Sequence, residues 1–221
     1  MIENWWSGKI DWTTPAGVLL DHFIKALPKD RTFRLTVFGS APLQLTVDRQ
    51  LLSADVDLFS EDDEDLSILV QNAGLDKTHG GLYLEAGFEL SFRTSPRWRQ
   101  RAMTVQRENA LLTIPHPIDI LIGKLDRLDP KDLKAFERVI QLTCHPTAEE
   151  LMAELQNAVD LFRPGFEEDS PNRFPDNVRR LWRELFSRDI DIRAEIIGPA
   201  IARRQTGYGG ASGVNYKRAL D

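Results

Sequence analysis

The sequence predicts an α+β fold, with a small mixed sheet flanked by helices and a C-terminal helical region after it. Three observations carry this reading. Short alternating apolar runs are confined to the first half of the chain. From Pro117 onward the apolar spacing becomes helical and stays so. A share of 42% hydrophobic residues in 221 is enough for a packed core, yet no apolar run approaches the roughly 20 residues that a membrane helix needs.

The elements follow in order. Residues 14–27 read as the first helix: Thr14 can cap it, Pro15 suits its first turn, and Val18, Leu19, Phe23 and Leu27 recur at helical spacing. FRLTVF (33–38) alternates as a strand and ends at Gly39-Ser40, after which APLQL opens a short helix. ADVDLF (54–59) is a second strand. Residues 61–74 read as a helix with acids in its first turn, which suits the helix dipole. LYLEA and FELSF, separated by Gly87, read as two short strands; MTVQ (103–106) and ALLTI (110–114) read as a hairpin. Helical segments then run to about residue 205, and the Gly-rich stretch 206–221 reads as a flexible tail. The natural division is an α/β domain over 1–115, a helical domain over 116–205 and the tail.

Charge is uneven. The chain carries 28 Lys/Arg against 34 Asp/Glu, a net of −6. Residues 179–221 hold nine basic and five acidic residues, a local +4, which leaves −10 for the rest. Arg93, Arg97, Arg99, Arg101 and Arg107 follow one another with no acid between them. Overall acidity argues against nonspecific nucleic-acid binding, while local basic patches suit phosphate. The single cysteine, Cys144, rules out a disulfide within the chain and a Cys-only zinc site, and is expected to be at least partly buried. MIENWWSGKIDW lacks the basic start and apolar core of a signal peptide, so the expectation is a cytoplasmic protein that does not meet the membrane.

The chemistry concentrates in FGSAPLQLTVDRQLLSADVDLF (38–59). The strand period of two puts the Asp55 and Asp57 carboxylates on one face. Two like charges that close repel unless a cation lies between them, and hard oxygen donors suit Mg²⁺ together with substrate phosphates. Gly39 allows close backbone approach and Ser40 offers a hydroxyl to an anion. Together these parts suit clamping a nucleoside triphosphate for displacement at its α-phosphorus, with a two-metal site as one form of it.

This arrangement resembles the nucleotidyltransferase superfamily related to DNA polymerase beta, whose pattern is Gly-Gly or Gly-Ser, a short helix, and Asp-x-Asp or Asp-x-Glu on the next strand. Many bacterial members carry Arg-x-Thr before the acids. Here Ser53 takes the Thr place and Leu51 the Arg place, with Arg49 the nearest substitute. HPIDILIGKLDRLDPKDLKAFERVI (116–140) resembles the helical segment of an uncharacterised bacterial branch and of the abortive-infection toxin nucleotidyltransferases, through Asp119, Lys124, Leu125, Lys131 and Asp132. SPRWRQRA (95–102) resembles that branch's Trp-x-x-Arg element. The resemblance spans about residues 33–143.

It implies a Mg²⁺-dependent transfer of a nucleoside monophosphate to an RNA, protein or small-molecule hydroxyl, and a place in a toxin–antitoxin or phage-defence pair with a protein partner. Gly39, Ser40 and Lys124 would meet the nucleotide phosphates, with Asp132 orienting a neighbouring base or salt bridge. A third carboxylate should join Asp55 and Asp57 as catalytic group and metal ligand. Glu89 is preferred because FELSF, read as a strand, turns Phe88, Leu90 and Phe92 inward and Glu89 away; Glu85 is the other candidate.

Plainer readings compete. Asp55 and Asp57 would alternate in the same way on a solvated strand face, Ser40 is also a common N-cap, and Lys124 and Lys131 are ordinary helix-surface types. Arg93, Arg97, Arg99 and Arg101 either form a solvated face or, with Trp98 among them, meet RNA or a nucleotide. The chemical rivals are a degenerate nucleotide-binding module and a protein-interaction module of antitoxin type.

Overall fold

The computed structural model describes residues 5–62, 65–163 and 172–208. Its sheet has five strands, β1 (Phe33–Phe38), β2 (Asp55–Ser60), β3 (Tyr83–Ala86), β4 (Met103–Arg107) and β5 (Ala110–Ile114), in the order β3-β2-β1-β5-β4. β1 pairs antiparallel with β2 and parallel with β5, β2 pairs parallel with β3, and β4 and β5 form the expected hairpin. The sheet is therefore mixed and the class is α+β.

Alternation sorts the two sheet faces. Phe33, Leu35, Val37, Val56, Leu58 and Leu112 face the first helix, α1 (Pro15–Ala26), and pack on its Leu20, Phe23 and Ile24. Thr14 caps that helix by accepting from the Gly17 N–H at 3.1 Å. Phe38 and Phe59 take part in a second core, joined to Phe92 and Trp98 by ring contacts between 5.3 and 6.5 Å. Around that core lie α4 (Trp98–Arg101), α5 (Pro117–Lys124), α6 (Pro130–Thr143), α7 (Ala148–Asn157) and α8 (Phe174–Phe186), whose Trp182 is fully buried. The second core thus draws residues from both sides of position 115. A π-helical turn, Ile192–Ile197, leads into α9 (Gly198–Tyr208), and the expected tail beyond residue 208 lies outside the described residues. No helix among the described residues is long and apolar enough to cross a membrane.

Four local expectations are corrected. The helix read over 61–74 is α3 (Leu66–Asn72), capped by Asp65. The preceding acids serve β1 instead: Glu61 accepts from the Thr36 hydroxyl at 2.8 Å, and Asp62 is paired with Arg34. FELSF is not a strand. After β3 the Gly87 N–H donates to the Leu58 carbonyl, and residues 89–91 make a single 3₁₀ turn. Phe88 and Leu90 are consequently 78% and 90% exposed, and only Phe92 turns inward. Cys144 is exposed because it ends α6 in the left-handed conformation, at φ 60°.

Arg101, at the end of α4, joins the parts. Its side chain reaches both the fully buried Asp119 of α5 and, at 2.8 Å, the nearly buried Glu154 of α7. Thr94 secures the same place by donating to the Asp119 carbonyl at 2.7 Å. The Trp-x-x-Arg element is therefore a packing device: Trp98 fills the aromatic cluster and Arg101 neutralises two buried acids. Removing that guanidinium leaves two buried carboxylates uncompensated, so Arg101→Ala is expected to lower unfolding free energy by about 3–5 kcal/mol. Arg99, on the same helix, pairs with Glu89 at the surface, and Arg99→Ala should cost less than about 1 kcal/mol. Urea denaturation of the two variants checks the contrast; equal losses would contradict the assignment.

Candidate functional site

The site lies where β1 ends and β2 begins. Antiparallel register sets Phe38 opposite Asp57, which brings the Gly39 turn against the Asp57 carboxylate. Gly39 has φ +66°, and a Cβ there would lie 1.8 Å from Asp57 Oδ2, so a side chain is excluded both by conformation and by space. On the other edge of β2, parallel register sets Asp55 beside Tyr83 and Asp57 beside Glu85. Three carboxylates thereby share one face, and oxygens of Asp55, Asp57 and Glu85 lie within 4.8 Å of one another. Asp55 and Asp57 are half-buried and Glu85 is exposed.

Electrostatics at this trio is strained. Burial, and then the neighbouring Asp55 and Glu85 charges, push the Asp57 carboxyl up to about 6, against the pull of Lys124 and Arg127. Tyr83, whose role sequence reasoning missed, sets its hydroxyl 3.4 Å from Asp55 Oδ2 and 3.5 Å from Glu85 Oε2. Desolvation and those two carboxylates push its phenol above the ordinary value. The signal for Tyr83 was its place two residues before Glu85 on the same strand face.

The opposite wall comes from the helices. Lys124, the last residue of α5, donates to the Ser40 hydroxyl at 2.6 Å and to Asp132 Oδ1 at 2.9 Å. Asp132 is fully buried, and its second oxygen accepts from the Asp129 N–H at 3.0 Å, so it is locked at the start of α6. Asp132 therefore positions Lys124. α5 is itself held by His116, whose Nδ1 accepts from the Ile118 N–H. Burial, with Arg101 nearby, pushes that imidazole down to about 3, which keeps the acceptor nitrogen free of a proton.

Between the walls lies a cleft of about 500 Å³ whose lining includes Gly39, Ser40, Asp55, Asp57, Glu85 and Lys124. Arg93, Arg127 and Lys131 also reach it. The structure thus gathers Gly39, Ser40, Asp55, Asp57, Lys124 and Asp132 in one place. Glu89, the preferred third carboxylate, is not among them. It lies on the exposed 3₁₀ turn and pairs with Arg99 at 3.0 Å, while Glu85 stands with the aspartates. Arg49 is elsewhere too, beside Val18 and His22 in a shallow depression, so the Arg place before the acids has no counterpart in the cleft.

The donor set fits Mg²⁺. All three groups offer hard oxygens, they converge, and their mutual repulsion falls when a cation lies among them. Among the described residues this is the one cluster of acids, histidines or cysteines so placed. No family model, curated protein or solved structure matches the chain.

The raised Asp57 value makes stability depend on pH. A carboxyl group whose folded value lies above its unfolded value of about 3.9 favours folding only in its protonated form. That contribution is full below the unfolded value and is lost as pH rises to about 6. Asp57→Asn cannot ionise, so in EDTA at pH 7.5 it should be more stable than the parent by about 3 kcal/mol. The difference should shrink toward pH 4. Urea titrations across this range check it, and a parent at least as stable as the variant at pH 7.5 would count against it.

Proposed function

We propose that the protein is a cytoplasmic Mg²⁺-dependent nucleotidyltransferase that moves a nucleoside monophosphate from a nucleoside triphosphate to an acceptor hydroxyl. One observation carries the reading: three converging carboxylates on adjacent strands share a single cleft with a Gly-Ser turn that is bound to a nearly buried lysine. A solvated strand face explains alternation of acids. It does not explain a glycine packed on one of them, nor a lysine fixed opposite.

Asp55, Asp57 and Glu85 are the residues that would hold the metal. When bound, Mg²⁺ supplies charge neutralisation for the phosphates and for the oxygens that enter and leave the α-phosphorus. The chain's own groups do the rest. The Gly39-Ser40 turn presents a backbone without a side chain to the terminal phosphates. The Ser40 oxygen accepts from Lys124, which leaves the hydroxyl hydrogen available to a phosphate oxygen. Asp132 keeps the Lys124 ammonium aimed at the turn. On this reading Glu85, the exposed member of the trio, takes the proton of the acceptor hydroxyl. The acceptor oxygen forms its bond to the α-phosphorus as the bond to the β-phosphate oxygen breaks, and pyrophosphate leaves. The acceptor hydroxyl in this scheme is one of RNA, a protein or a small molecule, and the toxin–antitoxin setting belongs to the same proposal.

The test incubates the protein with each α-labelled triphosphate, Mg²⁺ and either total RNA or a cell lysate. Label transfer with pyrophosphate release is expected for at least one triphosphate. Asp55→Asn, Asp57→Asn and Glu85→Gln should each reduce it by at least about 100-fold, while Glu89→Gln leaves it within about twofold. Absence of transfer under every condition, or equal rates in the parent and Asp57→Asn, would refute the enzyme reading.

A further inference from the structure

The arginines of residues 93–107 are divided among different tasks. Arg101 neutralises Asp119 and Glu154, Arg107 pairs with Asp21, Arg99 lies over the Trp98 ring and pairs with Glu89, and Arg93 pairs with Asp126 at the carboxylate cleft. Arg97 has a different place. It lines a second cavity, of about 390 Å³, together with Gln156 and Asn157 at the end of α7 and Arg203 and Arg204 on α9. Arg204 is tied to Asp160 by two contacts, at 2.9 and 3.2 Å. Among the described residues, the Arg97 and Arg203 guanidinium groups have no acidic partner, and the cavity lining contains no carboxylate.

Ion pairs occupy most other arginines of this protein; what sets Arg97 and Arg203 apart from Arg49, Arg183 and Arg193, which also lack one among the described residues, is that they line one cavity together. Two unneutralised guanidinium groups from separate elements face one cavity, and their repulsion falls when an anion joins them. The chemistry favours phosphate over carboxylate. A phosphate presents oxygens in several directions and can accept from both planar forks at once, with the Asn157 amide completing the shell. The position also suggests an extended ligand. Arg93 lines the carboxylate cleft and Arg97 lines this cavity, and four residues of chain span at most about 14 Å. A few nucleotides bridge such a distance.

We propose that the cavity between Arg97 and Arg203 binds backbone phosphate of a single-stranded polynucleotide whose end lies in the carboxylate cleft, so that the acceptor is a nucleic acid. The acceptor assignment rests on the transferase reading; the phosphate site itself does not.

The test measures binding of a labelled 12-nucleotide single-stranded RNA to the full chain by fluorescence anisotropy over a range of salt concentrations. Arg97→Ala/Arg203→Ala is expected to weaken binding at least tenfold. It should also flatten the slope of log affinity against log salt by about 1.4, at roughly 0.7 per single-strand phosphate contact. Arg179→Ala/Arg180→Ala removes the same charge from α8 and should leave both quantities close to the parent. Unchanged thermal melting of the variants shows that the effect is on binding. Binding is read without triphosphate, so a parent that binds the RNA in this arginine-dependent way but transfers no label refutes the transferase reading alone. The proposal is overturned if parent and Arg97→Ala/Arg203→Ala bind the RNA equally. It is also overturned if only inorganic phosphate or a mononucleotide shows the arginine dependence, or if a 12-residue polyglutamate does so with higher affinity than the RNA.

Discussion

The Arg101 guanidinium is the interaction on which the arrangement of this protein depends. It sits at the end of a one-turn helix and binds a fully buried aspartate from α5 and a nearly buried glutamate from α7. Burying three charges is unfavourable unless they satisfy one another, and here they do, with Thr94 and Ser95 adding hydroxyl contacts. The consequence reaches the cleft. Fixing Asp119 fixes the first turn of α5, and the last residue of that helix is Lys124. The lysine that meets Ser40 is therefore placed by an ion pair at the opposite end of its own helix.

Set against that network, the carboxylates of β2 and β3 are conspicuous. The fold supplies a guanidinium to Asp119 and Glu154 and an ammonium to Asp132. It supplies no direct cationic contact to Asp55, Asp57 or Glu85 among the described residues, and a tyrosine hydroxyl is the polar neighbour that Asp55 and Glu85 share. Strand pairing holds the three together despite their repulsion, because Asp57 is registered between Phe38 on one side and Glu85 on the other. A protein that neutralises its structural acids but leaves three converging ones without a cation has a cluster that is better explained by a ligand than by stability.

Local pattern made much of this readable from the sequence. Period-two alternation located β1 and β2, and the Gly39-Ser40 turn and the Asp55/Asp57 pair follow from two adjacent segments of chain. Lys124 and Asp132 came instead from the resemblance of residues 116–140 to the helical segment of the toxin branch. Pairing between distant segments was not readable. Whether Glu85 or Glu89 joins the aspartates depends on which residue of the 82–93 stretch lies beside Asp57, and alternation alone cannot decide that. Gly87 decided it: its N–H closes on the Leu58 carbonyl, the strand stops, and the apolar side chains of Phe88 and Leu90 go to solvent. Arg101 was hidden for a similar reason, since its partners come from two helices that only the packed structure brings together.

The charge balance of the cleft also constrains what can bind there. Lys124 has the charge to pair with a triphosphate, yet its ammonium already faces Asp132, and that pair is neutral as a unit. Arg127 is shared between Asp129 and Asp132, and Arg93 is paired with Asp126. Lys131 is the cleft lysine without an acidic partner among the described residues, and it lines the same cavity as the three carboxylates. A polyanion entering alone would meet a wall of like charge with little net attraction from the helices. The same polyanion entering with a divalent cation meets complementary walls on both sides, because the cation converts the carboxylates from a barrier into ligands. In the proposed transferase the substrate therefore arrives as a metal complex, and Lys124 acts through the direction of its hydrogen bonds more than through its charge.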